Sequence, residues 1–462
     1  MKKFLAGLTA VCVIALSALS GCEVVTEEGS SVPSINTPSS PENISSSAGE
    51  SSVNSENSGS PENPGSPNKV NSDQPEYVDF FLEKKVHTLK IDIEKDAWGA
   101  ICAAPKKKEY QHANITIDGK TISDCGLKTH GNSTLNQVVG KGTNRYPFKI
   151  KFDKYTDESF MGLDELVLCN NIFDGSSARQ YAGYEAFRAI DSPAPMSAFF
   201  DVYVNGELLG LYTGVEEIDD SFLERVFGSS KHNLYKMDEL ATLTTSMESW
   251  SVKQKKGKDT SRADIKLLIK TLDEMPLGEK GKIEEILDVD SALQYIAVGA
   301  VIHHCDGYGG DSAHNYCLYM DNGVFHMLPW DMDLCFYQTG YGFAPSEGSK
   351  MDIKSGLSGK ASLSKRPLIQ KLLAVDEYYK IYLKYCEEVT DWLKEYSESG
   401  ADELYSLIEE SAKNDPTDSY NIFKREFNKD YHYGFAGYIK ERVEYLEKRI
   451  PQIYSEKGIT HG

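Results

Sequence analysis

The dipeptide Asn322-Gly323 constrains this chain more than any other pair of residues. Two alternating apolar runs flank it, "NYCLYMD" and "VFHMLPW". A two-residue Asn-Gly turn ties such runs into an antiparallel hairpin of a single register. In that register Tyr316, Leu318 and Met320 face Pro329, Met327 and Phe325, which makes one apolar face. Cys317, Tyr319 and Asp321 face Leu328, His326 and Val324. The open end brings His314 and Asn315 beside Trp330 and Asp331. Strict alternation would place Asn315 and Asp331 on opposite faces. Pro329 cannot donate to a ladder, so the parity at that end stays open.

Upstream, Ala292 to His304 reads as an apolar helix, with Asp306 at its C-terminal exit. A carboxylate there opposes the helix dipole, so the placement points to use rather than to stability. The order is helix, Asp, polar loop, Asn, strand, turn, strand, Asp. Phosphoryl-transfer enzymes of the kinase type run in this order: a base, a metal-binding Asn, a hairpin and a second, metal-holding Asp. Mg²⁺ is a hard cation that wants oxygen ligands, and the attacking hydroxyl needs a carboxylate base within hydrogen-bond reach. Asp306 and Asn315 are nine residues apart, more than in the H-R-D-x-x-x-x-N pattern. Asp311, four before Asn315, is therefore a rival base. His303, His304 and His314 read as packing or hydrogen-bonding residues, and Asp333 as a supporting carboxylate.

The formal net charge of −21 excludes a nucleic-acid binder, whose phosphates demand Lys and Arg, and a basic face for anionic lipid. Lys2 and Lys3, an apolar run from Phe4 to Leu19, and "LSGC" at 19–22 read as a secretion leader, too short to be a spanning helix. Residues 23–75 are Ser, Pro, Glu, Asn and Gly with almost nothing to bury, a disordered linker with an r.m.s. span of roughly 40 Å. Seven further cysteines, without C-x-x-C spacing, form neither a zinc site nor a disulfide framework and read mostly as small buried residues, with room for one or two bridges.

The body, 76–462, changes period partway. Val86 to Ile93 alternates as a strand and a short helix follows near Trp98. "ANITIDGKTI" and "FFDVYVNGELLGLYTGVEE" are hairpins turning on Asp118-Gly119 and Asn205-Gly206. "ELVLCNN" is a buried strand and 176–190 a helix. Beyond Asp219, helical periodicity runs through 262–275, 290–304, 366–394, 400–413 and 435–455, with "NLYKM" at 233–237 as a strand beside the hairpin. The fold class is α+β in two lobes: an antiparallel, β-rich N-terminal lobe over about 76–218 and a helix-rich C-terminal lobe over about 219–462.

Four stretches, "LKTHGNST", "YPFKIKFD", "LLGLYTGVEEIDDSFL" and "HNYCLYMDNGVFHMLPWDMDL", spread over about 127–336, resemble the CotH kinase family of spore-coat-protein-H-like atypical protein kinases. "LSGC" resembles the bacterial lipobox, which implies lipid on Cys22, a signal peptide over 1–22, and a body tethered to the outer side of the cell membrane. The family likeness implies a two-lobed kinase-like fold, ATP and Mg²⁺ as cofactors, and phosphate transfer to Ser or Thr hydroxyls of a protein with Ser-rich segments, the chain's own linker among the candidates. By the same likeness Lys151 is the phosphate-binding lysine, with Lys149 as rival. Gly131, Asn132 and Ser133 cover phosphates, Glu185 pairs with the lysine, and Glu216 and Glu217 lie at the hinge by the nucleotide base. Asp306 is the base, Asp331 the metal ligand and Asn315 the second metal contact. Two other readings predict different ligands. "DMD" at 331–333 could serve as the D-x-D of a metal-dependent nucleotide-sugar transferase, and the 27 Tyr could line a non-catalytic surface module that binds polysaccharide.

Overall fold

Alternation of apolar and polar residues closes the N-terminal strands on themselves. The computed structural model describes residues 74–258, 260–339 and 347–460. The leader, Cys22 and the linker up to residue 73 lie outside the described residues. Helix α1 (Glu76–Leu82) leads into β1 (Val86–Ile93), α2 (Lys95–Ala103), β2 (Gln111–Ile117), β3 (Lys120–Thr129), α3 (Ser133–Lys141), β4 (Phe148–Lys151), β5 (Glu165–Cys169), α4 (Arg179–Arg188), β6 (Ser197–Val204) and β7 (Glu207–Glu216). The seven strands form a closed barrel in the order β1-β2-β3-β4-β5-β7-β6, sealed by a parallel pairing of β6 with β1. Leu127, Phe148, Ile150, Leu166, Leu168 and Tyr212 fill the interior. The intervening residues point outward, and Val167 and Val215 pack into the core of the second lobe.

The C-terminal lobe holds α5 (Asp220–Phe227), β8 (Leu234–Met237), β9 (Val252–Lys256), α6 (Ala263–Glu274), α7 (Val289–Val301), β10 (Tyr316–Asp321), β11 (Val324–Pro329), α8 (Pro367–Leu372), α9 (Asp376–Glu395), α10 (Ala401–Asn414), α11 (Tyr420–Glu426) and α12 (Phe435–Lys457). Its four-stranded sheet runs β11-β10-β8-β9. The α+β architecture, β-rich then helix-rich, is the one the sequence predicts. All three expected turns form with left-handed backbone at both residues, at Asp118-Gly119, Asn205-Gly206 and Asn322-Gly323. The β10–β11 register is as expected, from Tyr316 opposite Pro329 to Asp321 opposite Val324.

Three elements depart from the sequence reading. Strand β9, "VKQKK", carries too few apolar residues to show a strand pattern, yet pairs with β8. Helix α3 follows directly on the "THGN" loop. The single helix expected over 366–394 is two, α8 and α9, broken at Leu373–Val375. All seven described cysteines are free, and five of them are buried, so no bridge forms among them.

A buried guanidinium ends helix α7. Arg442, on α12, donates from Nε to the Val301 carbonyl at 2.8 Å and from Nη2 to the Ala300 carbonyl at 2.8 Å. Its Nη1 reaches the carbonyls of Ser349 at 3.1 Å and Met351 at 2.6 Å. These are carbonyls that a helix C-terminus leaves unsatisfied, met here by a fixed cation. Arg442→Ala strands several buried acceptors and is expected to lower the unfolding free energy by about 3 kcal/mol or more, read from urea titration; a Lys at that position recovers only part, since an ammonium lacks the fork.

His303 and His304 are buried, and burial lowers both to about 4. Unfolded His titrates near about 6.5, so the unfolded chain takes up protons first. Their contribution is intact above that pH and is lost as pH falls towards 4. The urea midpoint should therefore drop on acidification, less steeply in His303→Gln; an unchanged slope would contradict this origin.

Candidate active site

Strand register builds one wall of the site. Lys128, Lys149, Val167 and Val215 stand in a row across β3, β4, β5 and β7, on the outer face of the barrel. Opposite them the C-terminal lobe presents β8, β9 and the loops at the open end of the β10–β11 hairpin. Between the lobes lies a cavity of about 360 Å³, lined among others by Asp306, Asn315, Asp331 and Asp333. Small-molecule sites commonly fall within about 300–1,000 Å³.

The loop after α7 carries Asp306. Its carboxylate accepts from the Ser312 hydroxyl and, at 2.9 Å, from Asn315 Nδ2. His314 lies 3.8 Å from it and donates from Nε2 to Asp238 at 3.0 Å. Burial would lower His314, but its bonds to Asp238 and Asp306 push it up to about 9, so the ring is a cation at neutral pH. Asp311, the rival base, is turned away and accepts from the Lys360 N–H at 2.6 Å.

The parity left open at the hairpin mouth is settled by backbone conformation. Asn315 and Asp331 both have left-handed φ, 55° and 56°, and stand just outside the ladder, whose last pair is Tyr316–Pro329. Alternation therefore does not govern them, and both reach the cleft. Asp331 is held on two sides: its N–H donates to the Tyr184 hydroxyl at 3.0 Å, and its carbonyl meets His304 Nε2 at 3.2 Å. Gly183 on α4 permits this approach, because a Cβ there would meet Met332 Cβ at 2.5 Å. Burial raises the Asp331 carboxyl, opposed by Lys236 and reinforced by Asp306. Burial raises Asp333 well above its usual range, reinforced by Asp331 and Asp306.

The lysine assignments need correction. Lys149 is buried between Glu165 and Glu217, 3.1 Å from the latter, whereas Lys151 sits farther along the strand, 28% exposed at the side chain, between Asp153 at 2.9 Å and Glu165 at 3.0 Å. Lys149, not Lys151, stands in the row beside the cleft, because one more strand pair carries Lys151 away from it. Burial opposes the charge on Lys149, but Glu217 and Glu165 outweigh it and push the ammonium well up. Glu217 is held far below its usual range: burial would raise it, and Lys149 and Lys255 overcome that. Lys255, on β9, lies 3.6 Å away, so Glu217 bridges the two lobes.

Glu185 does not pair with either lysine. It projects on the far side of α4 into a separate groove with Tyr181 and Tyr396. Glu216 is likewise turned away from the cleft. It points the other way, accepting from Arg225 Nη2 at 2.6 Å, the Tyr77 hydroxyl at 2.5 Å and the Met196 N–H at 2.8 Å. One residue of strand parity separates it from Glu217.

Gly131, Asn132 and Ser133 do line the cleft, where β3 turns into α3. Gly131 has φ 71°, and Asn132, at the N-cap position, gives its side-chain oxygen to Lys108 Nζ at 2.6 Å instead of capping the helix. The first N–H groups of α3 thus stay without a side-chain acceptor next to the cavity, a setting that favours phosphate oxygens. Sequence reasoning missed Lys108, Lys128, Lys236, Lys253 and Lys255, all on the cleft wall. The run "VKQKK" was the one signal for two of them.

The oxygen donors Asp306, Asn315, Asp331 and Asp333 fit a hard divalent cation, and the mutual repulsion of the carboxylates calls for one. Among the described residues no three His, Cys, Asp or Glu side chains close into a metal cage by themselves. Mg²⁺ commonly takes one or two carboxylates and completes its shell with phosphates and water.

Comparison with known proteins gives the family. The CotH kinase protein family matches residues 127–446 of the 462. The inner spore coat protein H of Bacillus subtilis (strain 168) is 24% identical over 398 residues, covering 83% of this chain and 99% of that protein. Among solved structures, the HipA–HipB toxin–antitoxin complex with operator DNA from Shewanella oneidensis MR-1 aligns with a TM-score of 0.32 at 9% identity, over 64% of this chain and 61% of that one. The Helicobacter pylori proinflammatory kinase CtkA aligns with a TM-score of 0.32 at 13% identity, over 66% and 94%. Both of these likenesses are loose, and the assignment rests on the family match. The chain belongs to the CotH kinase family and is, by that membership, a protein kinase-like phosphotransferase.

Proposed function

We propose that this chain is an exported, lipid-anchored kinase that moves the terminal phosphate of ATP to Ser or Thr hydroxyls of a protein. The observation that carries the reading is the convergence of Asp306, Asn315 and Asp331 on one cleft beside an open helix N-terminus. Asp306 is the base. The Ser312 hydroxyl and Asn315 amide fix its orientation, and it takes the proton from the substrate hydroxyl as that oxygen bonds to the terminal phosphorus and the bond to the bridging oxygen breaks, releasing ADP. Asp331 and Asn315 would hold Mg²⁺, with Asp333 behind them. When bound, the cation neutralises charge on the phosphates. Gly131, Asn132 and Ser133 cover the phosphates with backbone N–H groups. Lys149 orders the wall through Glu165 and Glu217.

The leader, lipid on Cys22 and a position on the outer face of the cell membrane follow from the sequence pattern and belong to the same proposal. The Ser-rich linker is a substrate in cis, since covalent attachment keeps it at high local concentration. Phosphate mapping of the purified full chain after incubation with ATP tests this; no phosphoserine within 23–75 would remove the linker as substrate.

Incorporation of labelled phosphate from ATP by the full chain is the primary test. Asp306→Asn should cut turnover by about 10²–10⁴-fold while Mg·ATP still raises the melting temperature. Asp331→Ala, or chelation of the metal, should remove that thermal shift. Stabilisation by sugar nucleotides or oligosaccharide in place of ATP would sink the reading.

The lysine correction carries its own expectation. Lys149→Met leaves buried Glu165 with Lys151 alone and buried Glu217 with the more distant Lys255 alone, and should cost about 3 kcal/mol in urea unfolding. Lys151→Met, at a more open pair, should cost about 1 kcal/mol or less. Equal losses would contradict the different burial of the two.

A further inference from the structure

The cleft has cations that its carboxylates leave unpaired. Lys149 and Lys151 are each held by two carboxylates, Lys253 pairs with Asp238, and Lys255 faces Glu217 at 3.6 Å. Lys108, Lys128 and Lys236 differ. All three are half-buried on the cavity wall, and among the described residues none has a carboxylate within ion-pair distance. Lys108 meets only the neutral Asn132 amide oxygen, at 2.6 Å. Lys128 Nζ lies over the Tyr110 ring at 4.3 Å, and Lys236 Nζ over the Trp330 ring at 5.0 Å. Ring faces hold the ammonium groups in place without neutralising them.

The three come from separate elements: the loop before β2, the row on β3, and β8 of the other lobe. They face the same cavity as Asp306, Asp331 and Asp333. Burial lowers Lys108 and Lys128, and neighbouring lysines lower them further, so the group is electrostatically frustrated as it stands. The cavity thus holds ammonium groups from both lobes that, among the described residues, lack an ion-pair partner, together with the carboxylates of Asp306, Asp331 and Asp333. A linear polyphosphate carrying a divalent cation at one end complements both sets at once, and a singly charged anion complements neither.

We propose that Lys108, Lys128 and Lys236 form the polyphosphate-binding wall of the cleft, contacting the phosphate groups directly, while the β4 lysines order the wall from behind. The assignment rests on the phosphotransfer reading and goes beyond it by moving phosphate recognition off β4 and onto both lobes. Lys236 and the α3 N-terminus then grip the ligand from opposite lobes, and the terminal phosphate lies towards Asp306 and Asp331.

Calorimetric titration of the full chain with inorganic tripolyphosphate, ATP and adenosine, each with Mg²⁺, tests the proposal. The parent should bind tripolyphosphate and ATP but not adenosine alone. Lys128→Gln or Lys236→Gln should weaken tripolyphosphate binding by about 10–100-fold, whereas Lys151→Gln should change it by about fivefold at most. Ligand-free unfolding midpoints report whether each variant folds. Where one does not, the Arg variant, which keeps the charge, should retain binding. Parent-like tripolyphosphate affinity in Lys128→Gln and Lys236→Gln overturns the lysine wall and leaves the kinase reading standing if ATP still binds. A parent that binds tripolyphosphate through these lysines but not ATP keeps the wall and loses the nucleotide reading. Binding of neither overturns both.

Discussion

Everything in the cleft depends on a stretch of irregular backbone being held still. Residues 302–315 leave α7, turn several times, and deliver Asp306 and Asn315 with almost no ladder bonds of their own. Two buried guanidinium groups supply the missing donors. Arg442 takes the last carbonyls of α7, and Arg366 takes those of Tyr308 at 2.5 Å, Gly310, and Asp311 at 3.1 Å. A buried carbonyl without a donor is costly, so these arginines convert a loop that would otherwise need water into a fixed part of the core. The carboxylate at the exit of α7 looked unfavourable against the helix dipole. It is tolerable because the dipole has already been met by Arg442.

The second constraint is charge balance between the lobes. Glu217 accepts Lys149 from the barrel and Lys255 from the C-terminal sheet, so one buried carboxylate ties the β4 wall to β9. The two lobes close on each other through an ion cluster as well as through Val167 and Val215. Such a cluster resists sliding, because displacement of either lysine uncovers a buried charge. Around this neutralised centre the cavity wall carries Lys108, Lys128 and Lys236 together with the carboxylates of Asp306, Asp331 and Asp333.

What could be read from the chain divides by the range of the signal. Hairpin turns are local, and Asp118-Gly119, Asn205-Gly206 and Asn322-Gly323 marked three hairpins, the last with its register, while bulges in β2–β3 and β6–β7 shift the other two ladders away from their turns. The base and metal candidates were legible because they sit at the ends of locally defined elements. Glu185 was misplaced for the opposite reason: α4 has one face towards Asp331, through Gly183 and Tyr184, and another towards a separate groove, and periodicity cannot tell which neighbour each face meets. Lys236 and Lys255 were invisible because their importance comes from β8 and β9 lying across from the barrel, a long-range fact that no window of sequence contains.

The Glu216–Glu217 pair shows how thin the margin can be. Both are acidic, adjacent and almost fully buried, and both end the strand that joins the lobes. Strand alternation sends Glu216 to Arg225 and Tyr77 on one side and leaves Glu217 facing Lys149 on the other. Residues of the same type at the same depth thus serve different ends, one fastening α1 and α5 to the barrel, the other setting the charge of the cleft. A one-residue slip of β7 against β5 would move Glu217 off Lys149 and Glu216 off Arg225 and Tyr77. The register of that strand against β5, which sets Val215 opposite Val167 and Glu216 opposite Leu166, is therefore also a determinant of the electrostatics of the site.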